Sequence, residues 1–317
     1  MNKLLVIGAG GQLGTELTQS LANTYGSEAV IATDFQESAR SKFNYCRFKT
    51  LNVLDKEAVG KLLQEEQITQ VYHLAAILSA TGEKDPMQAW DMNMRGLLHI
   101  LELARENKLE KIFWPSSIAV FGPNTPKQNT PQDALKNPTT VYGISKLAGE
   151  HWCEYYFNTY GVDVRSLRFP GLIGYKSLAG GGTTDYAVDM YHQAIREQSF
   201  TCFLQEDTYL PMMYMDDAVQ ATMQLMAAPA SSIRVRTSYN VSGMSFSPRE
   251  IAQSIQSFYP NFRVQYAPDF RQQIADSWPS SVNDDRARND WGWKAEFDLP
   301  KMTTEILTKL PSYIHKL

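Results

Sequence analysis

Short apolar runs alternate with longer amphipathic stretches over the first 170 residues of the chain. The apolar runs have the length of buried strands, and the stretches between them have the three-to-four-residue spacing of helices. The predicted strands cover residues 4–7, 29–32, 71–74, 111–114 and 162–167, and the predicted helices cover 12–23, 56–66, 87–107 and 140–160. Repeated strand–helix units predict an α/β fold, in which a parallel sheet carries helices on both faces.

The pattern becomes less regular after Pro170, where a glycine run, shorter strands and many Met, Tyr and Pro residues follow. We therefore predict a Rossmann-type, doubly wound parallel sheet over residues 1–170. Residues 171–317 are predicted to form mainly a smaller substrate-binding lobe over the carboxyl edge of that sheet. Residues 211–241 contain a further strand and helix, which we predict to return to the first domain.

Composition narrows the class of protein. The 317 residues are 43% hydrophobic and 20% charged, with a net charge of −4, which is typical of a globular protein. The absence of a basic excess argues against nucleic-acid binding. No apolar stretch approaches the roughly 20 residues that span a bilayer, and the first apolar run is too short for a signal peptide. We expect a cytoplasmic protein that does not bind membranes.

The cysteines and histidines give no metal or disulfide pattern. Cys46, Cys153 and Cys202 form no Cys-x-x-Cys pair and are odd in number, as expected for incidental thiols in a reducing compartment. The five histidines lack His-x-x-x-His and His-Glu-x-x-His spacings. We therefore predict no metal site.

A glycine-rich turn follows the first predicted strand and begins the first predicted helix. Gly8, Gly11 and Gly14 have GxxGxxG spacing, and Gln12 and Leu13 lie between the last two. Glycines in such a turn allow the backbone to approach a pyrophosphate, and the helix N-terminus offers free N–H groups and a favourable dipole. We predict that these five residues bind a dinucleotide.

Asp34 ends the second strand twenty residues after the last of these glycines. A carboxylate there accepts hydrogen bonds from the adenosine ribose and repels a 2′-phosphate, so NAD is favoured over NADP. Small and apolar residues after the next two strands are predicted to line the same pocket. They are Asn52, Val53, Leu74, Ala75 and Ala76.

The chain has two Tyr-x-x-x-Lys pairs, and only one lies in a predicted helix. Tyr142 and Lys146 share one helix face, where an ammonium group stabilises a neighbouring phenolate. Tyr45 and Lys49 lie in a strand-like segment, in which four positions span about 13 Å, too far for coupling. Ser117, at a strand end, offers a hydroxyl that holds a substrate oxygen. This combination predicts oxidation of an alcohol to a ketone.

Together, these residues resemble the extended short-chain dehydrogenase/reductase family. Segments 114–122 and 168–174 resemble the family's serine segment and the segment that passes the nicotinamide. The resemblance implies an NAD cofactor, with Pro170 and Leu172 among the residues that bind it. The chain departs from the family at Asn52, where an aspartate is commoner, so the adenine contact there is less certain.

The same resemblance assigns roles to the three central residues. Tyr142 would be the catalytic acid/base, and Lys146 would lower its pKa and bind the nicotinamide ribose. Ser117 would orient the substrate hydroxyl. Members of the family usually form homodimers through two long helices of each subunit, which here would be the helices that begin near Met87 and Thr140.

Segments 180–187 and 210–217 resemble one group within the family, the NAD-dependent L-threonine 3-dehydrogenases of the short-chain type. This implies oxidation of L-threonine at C3 to L-2-amino-3-oxobutyrate, with reduction of NAD⁺ to NADH. The substrate-binding residues implied or expected are Ser79, Ser117, Tyr142, Gly182, Thr183, Thr184 and Trp278.

Two other functions stay open on the sequence. A nucleotide-sugar epimerase or dehydratase would keep its NAD bound and would need arginines for two phosphates, for which Arg234 and Arg236 are candidates. A non-catalytic dinucleotide sensor would use the same fold, but the presence of both Tyr142 and Lys146 argues against it.

Overall fold

The computed structural model describes residues 2–196 and 199–313. Its strands are β1 Leu4–Ile7, β2 Val30–Asp34, β3 Arg47–Thr50, β4 Gln70–His73, β5 Lys111–Ser117, β6 Val164–Phe169, β7 Gly171–Ile173, β8 Ser199–Cys202, β9 Leu210–Tyr214, β10 Tyr239–Asn240, β11 Met244–Phe246 and β12 Arg263–Tyr266. Its α-helices are α1 Gln12–Tyr25, α2 Lys56–Glu65, α3 Ser79–Gly82, α4 Pro86–Asn107, α5 Val141–Tyr160, α6 Tyr186–Arg196, α7 Met215–Ala227, α8 Pro248–Gln256, α9 Phe270–Ser277, α10 Asp285–Trp291 and α11 Leu299–Tyr313.

Seven strands form the central sheet in the order β10-β6-β5-β4-β1-β2-β3, and every pairing is parallel. All residues of β1, β4 and β6 are buried, because helices cover both faces of the sheet. Helices α1 and α7 pack together, and α4 packs against α2 and α5. The predicted α/β fold with a doubly wound parallel sheet is confirmed.

Local signals explain where the helix that carries Tyr142 begins and ends. The Thr140 hydroxyl accepts a hydrogen bond from the Gly143 N–H at 3.0 Å, which caps the N-terminus of α5. Gly161 follows the helix with φ of 71°, a left-handed conformation that glycine adopts without strain. Helix α5, which follows β5, therefore begins beside the carboxyl end of the central sheet.

The second half of the chain forms two small sheets beside this edge. Strand β9 lies between β7, to which it is parallel, and β11, to which it is antiparallel. Strands β8 and β12 form a parallel pair. A hydrophobic core in this half of the chain joins these strands to α6, α8 and α11.

Residues 211–241, predicted to return to the first domain, contain β9, α7 and β10. Helix α7 packs against α1, and β10 joins the central sheet beside β6. Strand β9 pairs with β7 and β11, outside the central sheet. The short β7, which immediately follows β6, turns away from the sheet and supplies β9 with its partner. The division of the chain near residue 170 into two domains stays a prediction.

No α-helix among the described residues is long and apolar enough to cross a membrane.

Candidate active site

The glycine turn between β1 and α1 packs tightly against the end of β4. Gly8 has φ of +81°, and a Cβ there would lie 2.6 Å from the Ala75 nitrogen. A Cβ on Gly14 would lie 2.5 Å from the Gly8 carbonyl oxygen. By contrast, a Cβ on Gly11 would meet only that same carbonyl, at 3.6 Å. The turn is closed on the protein side and open at the start of α1, whose N-cap makes no side-chain hydrogen bond.

One cavity of about 1020 Å³ extends from this turn to the smaller lobe. It contains the helix N-terminus, the carboxyl ends of the central strands and the loop before α6. Such a cavity, with a free helix N-terminus at one end and hydroxyl groups at the other, fits a dinucleotide together with a small polar substrate. The predicted site residues that line it are Gly8, Gly11, Gln12, Leu13, Gly14, Asp34, Asn52, Leu74, Ala75, Ala76, Ser79, Ser117, Tyr142, Lys146, Pro170, Leu172, Gly182, Thr183, Thr184 and Trp278.

Val53 is the one predicted residue that does not line the cavity. Its side chain is 2% exposed and belongs to the core beneath the sheet, facing Gly96. Its carbonyl oxygen contacts His99 Nδ1 at 3.2 Å. Its neighbours Leu51, Asn52 and Leu54, in the loop after β3, all line the cavity.

Asp34 connects the second strand to the glycine turn. Its Oδ2 accepts a hydrogen bond from the Gly10 N–H at 2.9 Å, and its Oδ1 accepts one from the Gln36 N–H at 3.0 Å. Each carboxylate oxygen has a further lone pair, so the group can also accept hydrogen bonds from ribose hydroxyls. The carboxylate is thus fixed in orientation at the cavity wall.

Tyr142 and Ser117 are hydrogen-bonded side chains in the cavity wall. Burial raises the pKa of Tyr142 to about 12, and the hydrogen bond from Ser117 acts in the opposite direction. The Ser117 oxygen also accepts a hydrogen bond from the Ala119 N–H at 3.2 Å, which fixes the hydroxyl at the end of β5. The two groups that we expect to handle a substrate hydroxyl are therefore adjacent.

Lys146 lies one turn further along α5 and is buried. Its Nζ donates a hydrogen bond to the Pro115 carbonyl at 2.6 Å and lies 4.5 Å from the centre of the Trp114 ring. Burial lowers the pKa of Lys146 to about 7, while the nearby Cys153 and Glu150 act to raise it. Burial thus disfavours the charged form of both groups. The expected lowering of the tyrosine pKa by this lysine stays a prediction.

Hydroxyl groups from the two halves of the chain also meet in the cavity wall. The Ser79 and Thr183 hydroxyl oxygens lie 3.2 Å apart, and the Thr183 N–H contacts Ser79 Oγ at 3.4 Å. Thr184 lies beside Gly171, where a Cβ would come within 2.7 Å of the threonine Cβ. The predicted substrate residues are thus brought together from positions more than 100 residues apart in sequence.

The glycine run before α6, residues 180–182, is held by a carboxylate that follows it in sequence. Asp185 Oδ2 accepts hydrogen bonds from the Gly181 and Gly182 N–H groups, both at 2.8 Å. Gly181 has φ of +94°, which lets the chain turn back over this carboxylate. Burial raises the pKa of Asp185, and the glycine N–H groups act to lower it.

Trp278 combines two roles that the sequence leaves open. It is 6% exposed and belongs to the core of the smaller lobe, yet it also lines the cavity. Its carbonyl oxygen accepts a hydrogen bond from Lys127 Nζ at 3.0 Å. The indole therefore closes the cavity from a rigid position.

Sequence reasoning missed several residues of the cavity wall. Asp185 lies within the segment that indicated the substrate, and a carboxylate three residues after a glycine run was a usable signal. Ser116 and Thr81 also line the cavity, and neither has a sequence feature that distinguishes it. In the described ranges, 2–196 and 199–313, no group of three His, Cys, Asp or Glu side chains is arranged to hold a metal ion.

Comparison with known proteins gives a consistent picture. Residues 4–242 match the model of the NAD dependent epimerase/dehydratase family. A Staphylococcus saprophyticus protein described as an uncharacterized epimerase/dehydratase is 47% identical over 97% of this chain and 96% of its own length. The holo form of a GalE-like L-threonine dehydrogenase from Cupriavidus necator is 52% identical, with a TM-score of 0.95, over 97% of this chain and 99% of that chain. A monomeric L-threonine 3-dehydrogenase from a metagenome is 49% identical, with a TM-score of 0.94, over 98% and 99% of the two chains.

Proposed function

We propose that this chain, which belongs to the NAD dependent epimerase/dehydratase family, oxidises L-threonine at C3 to L-2-amino-3-oxobutyrate and reduces NAD⁺ to NADH. One observation carries the proposal: a single cavity joins the glycine turn, the Ser117–Tyr142–Lys146 group and the Ser79–Thr183 hydroxyl pair. The similarity to L-threonine dehydrogenases over nearly the whole chain supports this choice of substrate.

Tyr142 is the general base of the proposed reaction. Its phenolate accepts the proton of the C3 hydroxyl, which the Ser117 hydroxyl holds in place by a second hydrogen bond. Bound NAD⁺ supplies a hydride acceptor. Since burial raises the pKa of the phenol to about 12, the base is scarce at neutral pH. We expect turnover to rise with pH as the phenol loses its proton, and a pH–rate profile measures this.

Lys146 supports the base and binds the cofactor in this proposal. One of its N–H groups is directed to the Pro115 carbonyl, which leaves two donors for ribose hydroxyls. Lys146 Nζ lies 5.5 Å from the centre of the tyrosine ring, so its charge stabilises the phenolate whenever the lysine is protonated. Asp34 accepts hydrogen bonds from the adenosine ribose and disfavours the additional phosphate of NADP.

The remaining cavity groups suit a small zwitterion. Ser79, Thr183 and Thr184 offer hydroxyl donors to the carboxylate, and Gly182 lines the same part of the cavity. Trp278 limits the length of substrate that fits. Hydrogen bonds from several hydroxyl groups to the amino acid fix its C3 atom beside Tyr142. Correct orientation of the substrate contributes strongly to the rate of the reaction.

The alternative of a nucleotide-sugar epimerase or dehydratase receives less support from the site. Arg236 donates a hydrogen bond to Asp163 at 2.7 Å and stacks on Phe157, and Arg234 Nε lies 3.8 Å from Asp290. Neither arginine lines the cavity. The groups that would bind a sugar-linked diphosphate are therefore committed elsewhere.

We further propose a homodimer built on α4 and α5, and a cytoplasmic location. The two helices pack side by side and expose large apolar side chains, among them Met87, Ile144, Trp152 and Tyr155. Burial of such a face against a second copy removes apolar surface from water. Sedimentation velocity at micromolar concentration tests the dimer, and a single monomeric species would contradict it.

The deciding experiment measures NADH formation with L-threonine, L-serine and 3-hydroxybutyrate. We expect L-threonine to be oxidised with the highest kcat/KM, because serine lacks the secondary alcohol and hydroxybutyrate lacks the ammonium group. A protein that binds NAD⁺ but forms no NADH with L-threonine would contradict the proposal. Purification with tightly retained nucleotide, and conversion of a UDP-sugar without net NADH, would favour the epimerase instead.

A further inference from the structure

Three residues of α5, each one turn after the last, contact three consecutive residues at the end of β5. Tyr142 is hydrogen-bonded to the Ser117 hydroxyl. Lys146 Nζ donates a hydrogen bond to the Pro115 carbonyl at 2.6 Å. Glu150 accepts a hydrogen bond from the Ser116 hydroxyl at 2.7 Å. The first two contacts involve the proposed chemistry, whereas the third has no assigned purpose.

Glu150 is also half of a buried ion pair. Its two carboxylate oxygens accept hydrogen bonds from Arg168 Nε and Nη2, both at 2.8 Å, and each side chain is only 1% exposed. Arg168 Nη1 donates to the Gln132 carbonyl at 2.8 Å and to Asn240 Oδ1 at 3.1 Å. With the Ser116 hydroxyl, the pair forms a fully enclosed polar network.

The network spans the elements that carry the site. Arg168 lies on β6 directly opposite Ser116 of β5 in the parallel ladder, and Phe169 lies opposite Ser117. Glu150 on α5 contacts both strands at this level. A buried ion pair contributes little net stability compared with apolar residues of similar volume, but its directional hydrogen bonds define one arrangement. The arrangement that it defines here is the register of α5 on the end of β5.

We propose that Ser116, Glu150 and Arg168 are positioning residues that set the distance between the Ser117 hydroxyl and the Tyr142 phenol. Ser116 lies in the cavity wall, and Glu150 and Arg168 lie behind it; all three act through the strand end and the helix that carry those two groups. The kinetic part of this inference rests on the proposed function, because it concerns the step in which Tyr142 takes the substrate proton.

Ser116→Ala is the most direct test, since it removes one hydroxyl and leaves the ion pair intact. We expect kcat with L-threonine to fall about tenfold, while the KM for L-threonine and the Kd for NAD⁺ stay within twofold of wild type. Ser166→Ala is the matched control. Ser166 is buried on β6, bonds to the Ser238 hydroxyl at 2.9 Å and lies outside the cavity. The control is expected to keep the wild-type kcat.

Glu150→Gln tests the ion pair while keeping the shape of the side chain. We expect a larger fall in kcat than for Ser116→Ala, again without a comparable rise in KM. Amide hydrogen exchange at residues 115–119 gives a readout that does not depend on substrate. Exchange at these amides is expected to accelerate in both variants and to stay unchanged in Ser166→Ala.

The outcomes separate this inference from the proposed function. If wild type forms no NADH with L-threonine, the proposed function fails, and hydrogen exchange still tests the positioning. If Ser116→Ala keeps kcat and exchange within twofold of the Ser166→Ala control, the positioning role is refuted. The positioning role is also refuted if kcat falls in both Ser116→Ala and Ser166→Ala in proportion to their loss of thermal stability. If Glu150→Gln does not fold, Ser116→Ala alone decides.

Discussion

The two sides of the cavity are held in different ways. The floor, consisting of Ser117, Tyr142 and Lys146, lies on β5 and α5 and is supported from behind by the buried Glu150–Arg168 pair. The lid, residues 178–184, is held by the adjacent Asp185 carboxylate, by the Ser79–Thr183 contact and by single exposed hydrogen bonds to distant parts of the chain. Gln12 Nε2 donates to the Leu178 carbonyl at 2.9 Å, and the Thr81 hydroxyl donates to the Gly181 carbonyl at 3.4 Å.

This difference indicates how the protein divides its tasks. Proton transfer depends steeply on distance, so the groups that perform it belong on rigid elements. Substrate must enter and leave, so the part that covers it is held by contacts that are partly exposed and individually weak. The exposed lid contacts of Gln12 and Thr81 come from the cofactor helix α1 and from α3, which also supplies the buried contact of Ser79. A change in the floor should therefore reduce kcat, and a change in the lid should raise KM.

The largest expected effect is on the floor. Tyr142→Phe removes the base and leaves the ring in place, so we expect kcat to fall about 10³-fold with NAD⁺ affinity unchanged. Steady-state kinetics with L-threonine and an NAD⁺ binding titration measure both quantities. Tyr25→Phe, which alters a part-exposed tyrosine at the end of α1, is the control. Near-normal turnover in Tyr142→Phe would show that the base has been misassigned.

The second prediction concerns the stability of the floor. Burial lowers the pKa of Lys146 to about 7, whereas an unfolded lysine titrates near 10.4. Between these values the unfolded chain binds a proton that the folded protein lacks, so stability rises with pH through this window and the burial penalty is largest below pH 7. We expect Lys146→Met to abolish activity and to stabilise the fold more at pH 6 than at pH 9, by about 1 kcal/mol or more.

Thermal or urea unfolding of both proteins at the two pH values measures this difference. Lys61→Met is the control, because Lys61 is exposed and its contact with Glu65 is a surface pair at 3.7 Å. Equal changes in stability at pH 6 and pH 9 for Lys146→Met would show that the buried lysine carries no such penalty.

The third prediction moves to the substrate side. Ser79→Ala removes a buried hydroxyl that contacts Thr183 from across the cavity. A hydrogen bond to a charged carboxylate contributes about 1.5–3 kcal/mol, so we expect the KM for L-threonine to rise about tenfold or more, with kcat within threefold of wild type. Initial rates over a range of L-threonine concentrations separate the two constants. A fall in kcat at unchanged KM would place Ser79 with the floor instead.

The sequence predicts best the positions that follow from local geometry. The glycine turn, Asp34 and the helical pair Tyr142–Lys146 each depend on spacing within one strand–helix unit, and the structure brings them to one cavity. Val53 lies in a loop, where no regular periodicity shows which side chains are buried, and its side chain packs into the core. The roles of these residues stay predictions.

Long-range pairing explains the rest of what was missed. Pro170 marks the end of β6, but no local pattern shows that β7 pairs with β9 outside the central sheet. The contacts of Glu150 with Arg168 and Ser116 join α5, β6 and β5. Nothing in the sequence around each residue distinguishes it from other polar residues. The Ser79–Thr183 contact spans 104 residues, and only the resemblance to a known group pointed to it.

The smallest expected effect tests the lid itself. Thr81→Val keeps the shape of the side chain and removes the hydroxyl that contacts the Gly181 carbonyl. Because this hydrogen bond is long and exposed, its contribution is at the low end for neutral pairs, and we expect the KM for L-threonine to rise about twofold at unchanged kcat. Thr304→Val, on the exposed face of α11, is the control for the substitution itself.

A tenfold fall in kcat for Thr81→Val would contradict the comparison, because the lid would then help to arrange the reacting groups. An unchanged KM would mean that Gln12, Asp185 and Ser79 hold the lid without help from Thr81. Combining Thr81→Val with Ser79→Ala distinguishes these cases. Both residues lie on α3 and contact lid residues 181 and 183, so a cooperative lid predicts a combined rise in KM that differs from the product of the two single effects.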